Sequence, residues 1–315
     1  MLKIAYSPIY KYELPEGHRF PMIKYELIPE QLVYEGVVKE ESFFHPNPLA
    51  DDIIVQTHTP QYWLRLKHQE LTDKEIRKIG FPMSPRLVER CITIADGSIQ
   101  CALFAQKYGV ALNVAGGTHH AFTDHGEAFC MLNDLAITAN YLIDNGLRSK
   151  ILIIDLDVHQ GNGTAEIFQK SKNKWQSAEA LAATGGRGVF TFSMHGANNY
   201  PVYKPPSNLD IGLEDGADDK VYLKILVENL NVLFDKVQPD FVIFNAGVDV
   251  LGGDKLGRLG MTIEGCRQRD KIVFEMCKNN NVPVSVSLSG GYSARVARVV
   301  EAHVNTFKMA QSVFF

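Results

Sequence analysis

No run of about 18 apolar residues occurs in this 315-residue chain, so no segment can cross a bilayer as a helix. The opening MLKIAYSPIY has too short an apolar stretch for a signal-peptide core. A basic excess is also missing. The formal net charge is −4, which leaves no broad attraction for nucleic acid or anionic lipid. The five cysteines (Cys91, Cys101, Cys130, Cys266 and Cys277) are odd in number and form no CxxC pair. That argues against a disulfide framework and against a thiolate zinc site. Linkers rich in Pro, Gly or Ser, low-complexity tracts and internal repeats are lacking too. These absences lead us to expect one domain over residues 1–315, no membrane span, no nucleic-acid partner and a reducing, cytoplasmic setting. Nothing in the sequence sets an oligomeric state.

What is present is 45% hydrophobic content, arranged in short apolar runs. Val110 to Val114, Ile151 to Ile154, Phe241 to Phe244 and Val282 to Val286 read as buried parallel strands, with further strands at Leu2 to Tyr6 and Val189 to Ser193. Between them lie segments of helical periodicity. Ser84-Pro85 opens a long helix as N-cap and first-turn proline, and apolar positions continue to Gly109. Others are expected over about Leu132 to Ile143, Ala217 to Phe234, Ile263 to Lys278 and Ser293 to Ala310. Alternating strand and helix predicts an α/β fold with a parallel sheet covered on both faces.

The polar residues with chemistry follow the strands. His119 and His120 come after the first run, Asp155 to His159 after the second, Asn245 to Asp249 after the third, and Ser287 to Tyr292 after the fourth. Open parallel sheets bind ligands beyond the carboxyl ends of their strands. Extended backbone sends residues i and i+2 to one side, so Asp157 and His159 can reach one ion, with Asp249 as third ligand. Asp, His and Asp around a divalent ion leave an open position, as catalytic zinc sites do. One histidine of the pair can serve as general base and proton donor. Asp155 is the natural orienter of one imidazole, and Asn162 a neutral partner for the other. Tyr292, in SGGY, can donate a phenol to a developing oxyanion. Satisfied caps and turns would be the plain explanation for any one of these pieces taken alone.

In order along the chain, AGGTHHA, FCMLND, IDLDVHQGNGT, VFTFSMHG, NAGVDVLGGDKLGRLGMT and SLSGGYS resemble the zinc-dependent histone deacetylase family. The resemblance runs from about Tyr6 to Tyr292 and beyond. Gln160, where many relatives have a second histidine, and GGDKLGRLGMT look like the class IV branch. The resemblance implies a single-domain arginase/deacetylase fold, an eight-stranded parallel sheet flanked by helices on both faces. It implies hydrolysis of an Nε-acyl-lysine, acetyl or longer, carried by a protein or peptide. Zinc is then held by Asp157, His159 and Asp249, with iron(II) as the alternative metal. His120 corresponds to the general base, His119 to its electrostatic or acid partner, Tyr292 to the carbonyl-polarising phenol, and Asp155 and Asn162 to the partners of His119 and His120. The division of labour between the histidines stays open.

The same resemblance implies a structural potassium ion held by Asp155, the Ser193 hydroxyl and backbone oxygens of Asp157, His159 and Met194. It places Phe129 and Tyr200 as the aromatic walls of an acyl-lysine tunnel, the Ala128 carbonyl as acceptor for the substrate N–H, and Leu256 beside them. Lys24 falls where many members carry arginine beneath the metal. A small acetylated amine such as an acetylpolyamine is the alternative substrate, and acidic residues at the tunnel mouth would favour it. A non-catalytic acyl-lysine binding module would have lost a ligand, a histidine or the phenol, and none is lost. A dimanganese ureohydrolase would need a carboxylate at Gly161 and an Asp-x-Asp at the Asp249 loop, and neither is present.

Overall fold

The computed structural model describes residues 1–175 and 186–315. Eight parallel strands form one sheet: β1 (Lys3–Ala5), β2 (Phe43–Phe44), β3 (Val110–Asn113), β4 (Lys150–Asp155), β5 (Gly188–Gly196), β6 (Leu209–Leu213), β7 (Phe241–Ala246) and β8 (Val284–Leu288). Their order is β2-β1-β3-β8-β7-β4-β5-β6. The central strands are unbroken apolar runs because parallel strands covered by helices are buried on both faces. Neighbouring residues accordingly enter different cores. Leu152 and Ile154 pack with Leu226, Phe274 and Phe307 on one side. Ile151 and Ile153 pack with Ala136, Ala139 and Phe168 on the other.

The helices end where their caps dictate. Pro85–Tyr108 starts at Ser84, whose hydroxyl accepts from the Leu87 N–H at 3.1 Å, and stops at Gly109, whose φ of +86° suits glycine. Asp134–Asp144, Asp219–Val237 and Ile263–Asn279 are capped by the side chains of Asn133, Asp218 and Thr262. Val296–Phe314 closes the chain. These helices lie within three or four residues of the expected bounds.

Other elements had no clear sequence signal. β2 and β6 are short edge strands, and their pairing with β1 and β5 defines them more than their composition does. The helix Lys24–Tyr34 contains Pro29, ordinarily a breaker. It persists because Tyr25, Ile28 and Leu32 bury one face in the core.

Candidate active site

β3, β8, β7 and β4 are adjacent at the centre of the sheet, so the loops leaving their carboxyl ends converge. That convergence brings together residues from 119 to 292. Asp157, His159 and Asp249 present one ligand atom each within 4.8 Å of one another, all buried. His159 Nδ1 lies 3.0 Å from Asp157 Oδ1 and 3.2 Å from Asp249 Oδ2. The other oxygens are held by the loops. Asp157 Oδ2 accepts from the Ser289 hydroxyl at 2.7 Å and the Gly290 N–H at 2.9 Å, and Asp249 Oδ1 from the Val158 N–H at 2.9 Å. Glycine is required at position 290, where a Cβ would lie 1.9 Å from Asp249 Oδ2.

These residues fit a divalent cation. Asp249 Oδ2 is buried and makes no well-formed hydrogen bond, with only the His159 ring nitrogen 3.2 Å away to share with Asp157, an arrangement that costs free energy unless a cation sits among the three. Burial and the Asp157 carboxylate push the Asp249 carboxyl up to about 7. Burial acts against a charged His159, yet the two carboxylates raise its imidazole to about 10. A buried donor set with two carboxylates and one imidazole suits zinc or iron(II).

The tandem histidines lie beside this cluster with ring centroids 4.1 Å apart. His119 Nδ1 is 2.7 Å from Asp155 Oδ2, and His120 Nδ1 is 2.6 Å from Asn162 Oδ1. Their surroundings set them apart. Burial opposes charge on His119, but Asp155 and Asp157 outweigh it and raise the imidazole to about 9. Burial, with His119 and His159 close by, holds His120 well below its ordinary value. The two rings are thus pushed in opposite directions. Burial, with Asp249 and Asp157 adding to it, raises the Tyr292 phenol well above its usual value, so it stays a donor.

These groups line a cavity of about 400 Å³. Phe129, Tyr200, Leu256 and Ala128 line it as expected, together with Arg19, Phe20 and Lys78. Ala128 and Phe129 both adopt left-handed backbone, with φ of +45° and +69°, and their N–H groups donate to the carbonyls of Lys78 and Ile79. The Ala128 carbonyl accepts from the Cys130 thiol at 3.4 Å. Asp155 and Ser193 are paired across β4 and β5, with Met194 the next residue along β5. Lys24 is fully buried and donates to the Ser289 carbonyl at 2.7 Å; burial, only partly offset by Asp249 and Asp157, lowers it to about 8. Gln160 turns away from the ligands and donates to the Pro205 carbonyl at 2.6 Å.

Four supporting residues had been given no role by the sequence. Glu127 Oε1 accepts from Asn162 Nδ2 at 2.7 Å and the Tyr200 hydroxyl at 2.5 Å. Asn245 Nδ2 donates to Asp155 at 2.9 Å. Asp254 accepts from the Tyr292 N–H at 2.6 Å. Arg269 donates to the carbonyls of Leu156 and Gly247 at 3.2 and 2.5 Å, bracing both loops that carry ligands. Only Asn245 and Asp254 had a signal available, from lying inside motif segments.

Known proteins are similar to this chain. A family model described as the histone deacetylase domain matches residues 18–307. An uncharacterized protein of Picosynechococcus sp. is 40% identical over 311 residues, covering 99% of each chain. Histone deacetylase 2 of Arabidopsis thaliana is 29% identical over 312 residues, covering 95% of this chain and 76% of that protein. Among solved structures, a histone deacetylase homologue complexed with SAHA aligns with a TM-score of 0.79 at 22% identity, over 98% of this chain and 82% of that one. A homologue from Aquifex aeolicus aligns with a TM-score of 0.78 at 21% identity, over 98% and 84%. These two share the fold. With the family model spanning most of its length, the chain belongs to the histone deacetylase family, hydrolases that act on amide bonds.

Proposed function

We propose that the protein is a zinc-dependent deacylase that removes acetyl or longer acyl groups from the Nε of lysine in polypeptides. One observation carries this reading. The Asp157, His159 and Asp249 cluster opens, through Asp157 and His159, into one cavity that also holds the two histidines and Tyr292 and is walled by Phe129 and Tyr200. The three ligands would hold the ion, which supplies Lewis acidity toward the amide carbonyl and acidifies water.

The chain's own residues supply the remaining steps. Neutral His120 gives its Nδ1–H to Asn162 and offers Nε2 as general base to a water in the cavity. Cationic His119 contributes positive charge and a proton for the departing amine. Tyr292 donates its O–H to the carbonyl oxygen as negative charge develops there. Phe129 and Tyr200 bury the lysine methylenes, at roughly 0.8 kcal/mol each. The Ala128 carbonyl accepts the substrate N–H. Asp155, Ser193 and the backbone oxygens of Asp157, His159 and Met194 would hold potassium beneath the loop. Gln160 and GGDKLGRLGMT support placement in the class IV branch, and five free, buried cysteines support a reducing, cytoplasmic setting.

The lining favours polypeptide over polyamine. Arg19 and Lys78 face the cavity, while Asp157, a metal ligand, is the one lining carboxylate among the described residues. A cationic amine meets no acid there. The test is a panel of acyl-lysine peptides and acylated polyamines, acetyl to myristoyl, assayed with zinc, with iron(II) and after chelation. Peptide turnover that is lost on chelation and restored by metal is expected. Preference for polyamines would reassign the substrate, and no cleavage under any metal condition would overturn the reading.

A further inference from the structure

Glu127 is a buried carboxylate that the chemistry above does not use. It is 4% exposed and directly precedes the left-handed pair Ala128 and Phe129. Its Oε1 accepts from Asn162 Nδ2 at 2.7 Å and from the Tyr200 hydroxyl at 2.5 Å, while Oε2 pairs with the Lys78 ammonium. On the far side of Asn162, Oδ1 accepts from His120 Nδ1 at 2.6 Å and from the Gly163 N–H at 3.1 Å.

A carboxylate only accepts hydrogen bonds, whereas an amide has one accepting end and one donating end. Glu127 therefore demands the NH₂ of Asn162 and leaves its oxygen for His120. Facing an oxygen, the His120 ring must donate from Nδ1, which leaves the lone pair on Nε2. A reversed amide would set NH₂ against Nδ1 and select the other tautomer. Nε2 would then carry the hydrogen and could not take a proton. The Gly163 N–H holds the same oxygen, so Glu127 is one of two anchors on this amide.

We propose that Glu127 is a positioning residue: through Asn162 it fixes His120 in the Nδ1–H tautomer with Nε2 bare, and through Tyr200 it ties that setting to the tunnel wall. The catalytic consequence rests on reading His120 as general base. The tautomer does not.

The test is nitrogen NMR on the zinc-loaded full chain with ¹⁵N-labelled histidine, the His120 signals being identified by their loss in His120→Gln. In the unmodified protein, a protonated Nδ1 and bare Nε2 are expected. Glu127→Ala should mix the tautomers and lower kcat on an acetyl-lysine peptide by roughly tenfold, below the ~10²–10⁴ a general base contributes because one anchor remains. KM should stay close to that of the unmodified protein. Glu127→Gln keeps an oxygen in reach of Asn162 and should restore tautomer and kcat together. Glu127→Met, of similar length, replaces the alanine variant if that variant fails to fold. An unchanged His120 tautomer in the alanine or methionine variant overturns the proposal, as does a glutamine variant no better than either. If the unmodified protein cleaves no acyl amide, the functional reading fails and the NMR arm still decides this one.

Discussion

At the scale of single residues, the site depends on groups whose nearest relatives in shape cannot replace them. Tyr292→Phe removes one hydroxyl and leaves the ring packed near Phe129 and Phe20, at 6.0 and 5.8 Å. Zinc content and peptide affinity are expected to hold while kcat falls by about 10²–10³, the loss that follows removal of one oxyanion donor. Steady-state kinetics beside a zinc assay checks this, and unchanged turnover would remove Tyr292 from its role. Gly290→Ala acts on the ligands. Its Cβ would sit 1.9 Å from Asp249 Oδ2 and 2.7 Å from Asp157 Oδ2, so both carboxylates must move. Zinc affinity should drop roughly 10- to 100-fold, as for other changes around a metal's ligands. Chelator competition measures it, and an unaltered affinity would show that the loop gives way freely.

At the scale of elements, the ends of helices and strands bear most of the polar load. Asn133 caps the helix Asp134–Asp144 by accepting from the Ala136 N–H at 3.0 Å. Its own N–H donates to His58 Nε2 at 3.0 Å, while His58 Nδ1 faces the Phe122 carbonyl at 2.9 Å. His58 is held neutral between a donor and an acceptor, and burial lowers its imidazole to about 4. The unfolded chain takes up this proton near pH 6.5 and the folded one only near 4. Stability from this residue is thus complete above about 6.5 and declines as pH falls toward 4, by at most about 3 kcal/mol. Melting midpoints of the unmodified protein and His58→Gln across that range check it. A parallel decline in both would exclude His58 as the cause. The long helices Pro85–Tyr108, Asp219–Val237 and Ile263–Asn279 were legible in the sequence, whereas the short Pro60–Lys67 and Asp73–Ile79 were not expected despite their Thr caps. The helix starting at Asn162 was not expected either, because it has no side-chain cap and its first turn is occupied by residues that also read as site chemistry.

At the scale of the whole molecule, Arg269 connects a helix to both loops bearing ligands. Its guanidinium is fully buried, pairs with Asp270 at 2.7 Å and donates to the carbonyls of Leu156 and Gly247. Arg269→Met would strand the Asp270 charge and leave two carbonyls unpaired. A loss of about 3–5 kcal/mol in stability is expected, as when one partner of a buried pair is removed. Zinc should also be released at lower temperature, since both ligand loops lose their brace. Thermal unfolding followed together with zinc release checks this, and an unshifted midpoint would sink it.

Sequence alone determined the alternation of strand and helix, because doubly buried strands must be apolar throughout and helices must repeat near 3.6 residues. It also singled out Asp157 and His159 as candidate ligands, because i, i+2 spacing after a strand is a local property. The tertiary structure alone decided the rest. The order β3-β8-β7-β4 places residues 119, 157 and 292 in one cavity, with Asp249 beside Asp157 and His159. The opposite shifts of the two histidines depend on which carboxylates approach each one, and Glu127 meets Asn162 across 35 residues of chain. Hydrogen bonds and Coulomb forces act over a few ångströms of space, and only the folded chain sets those distances.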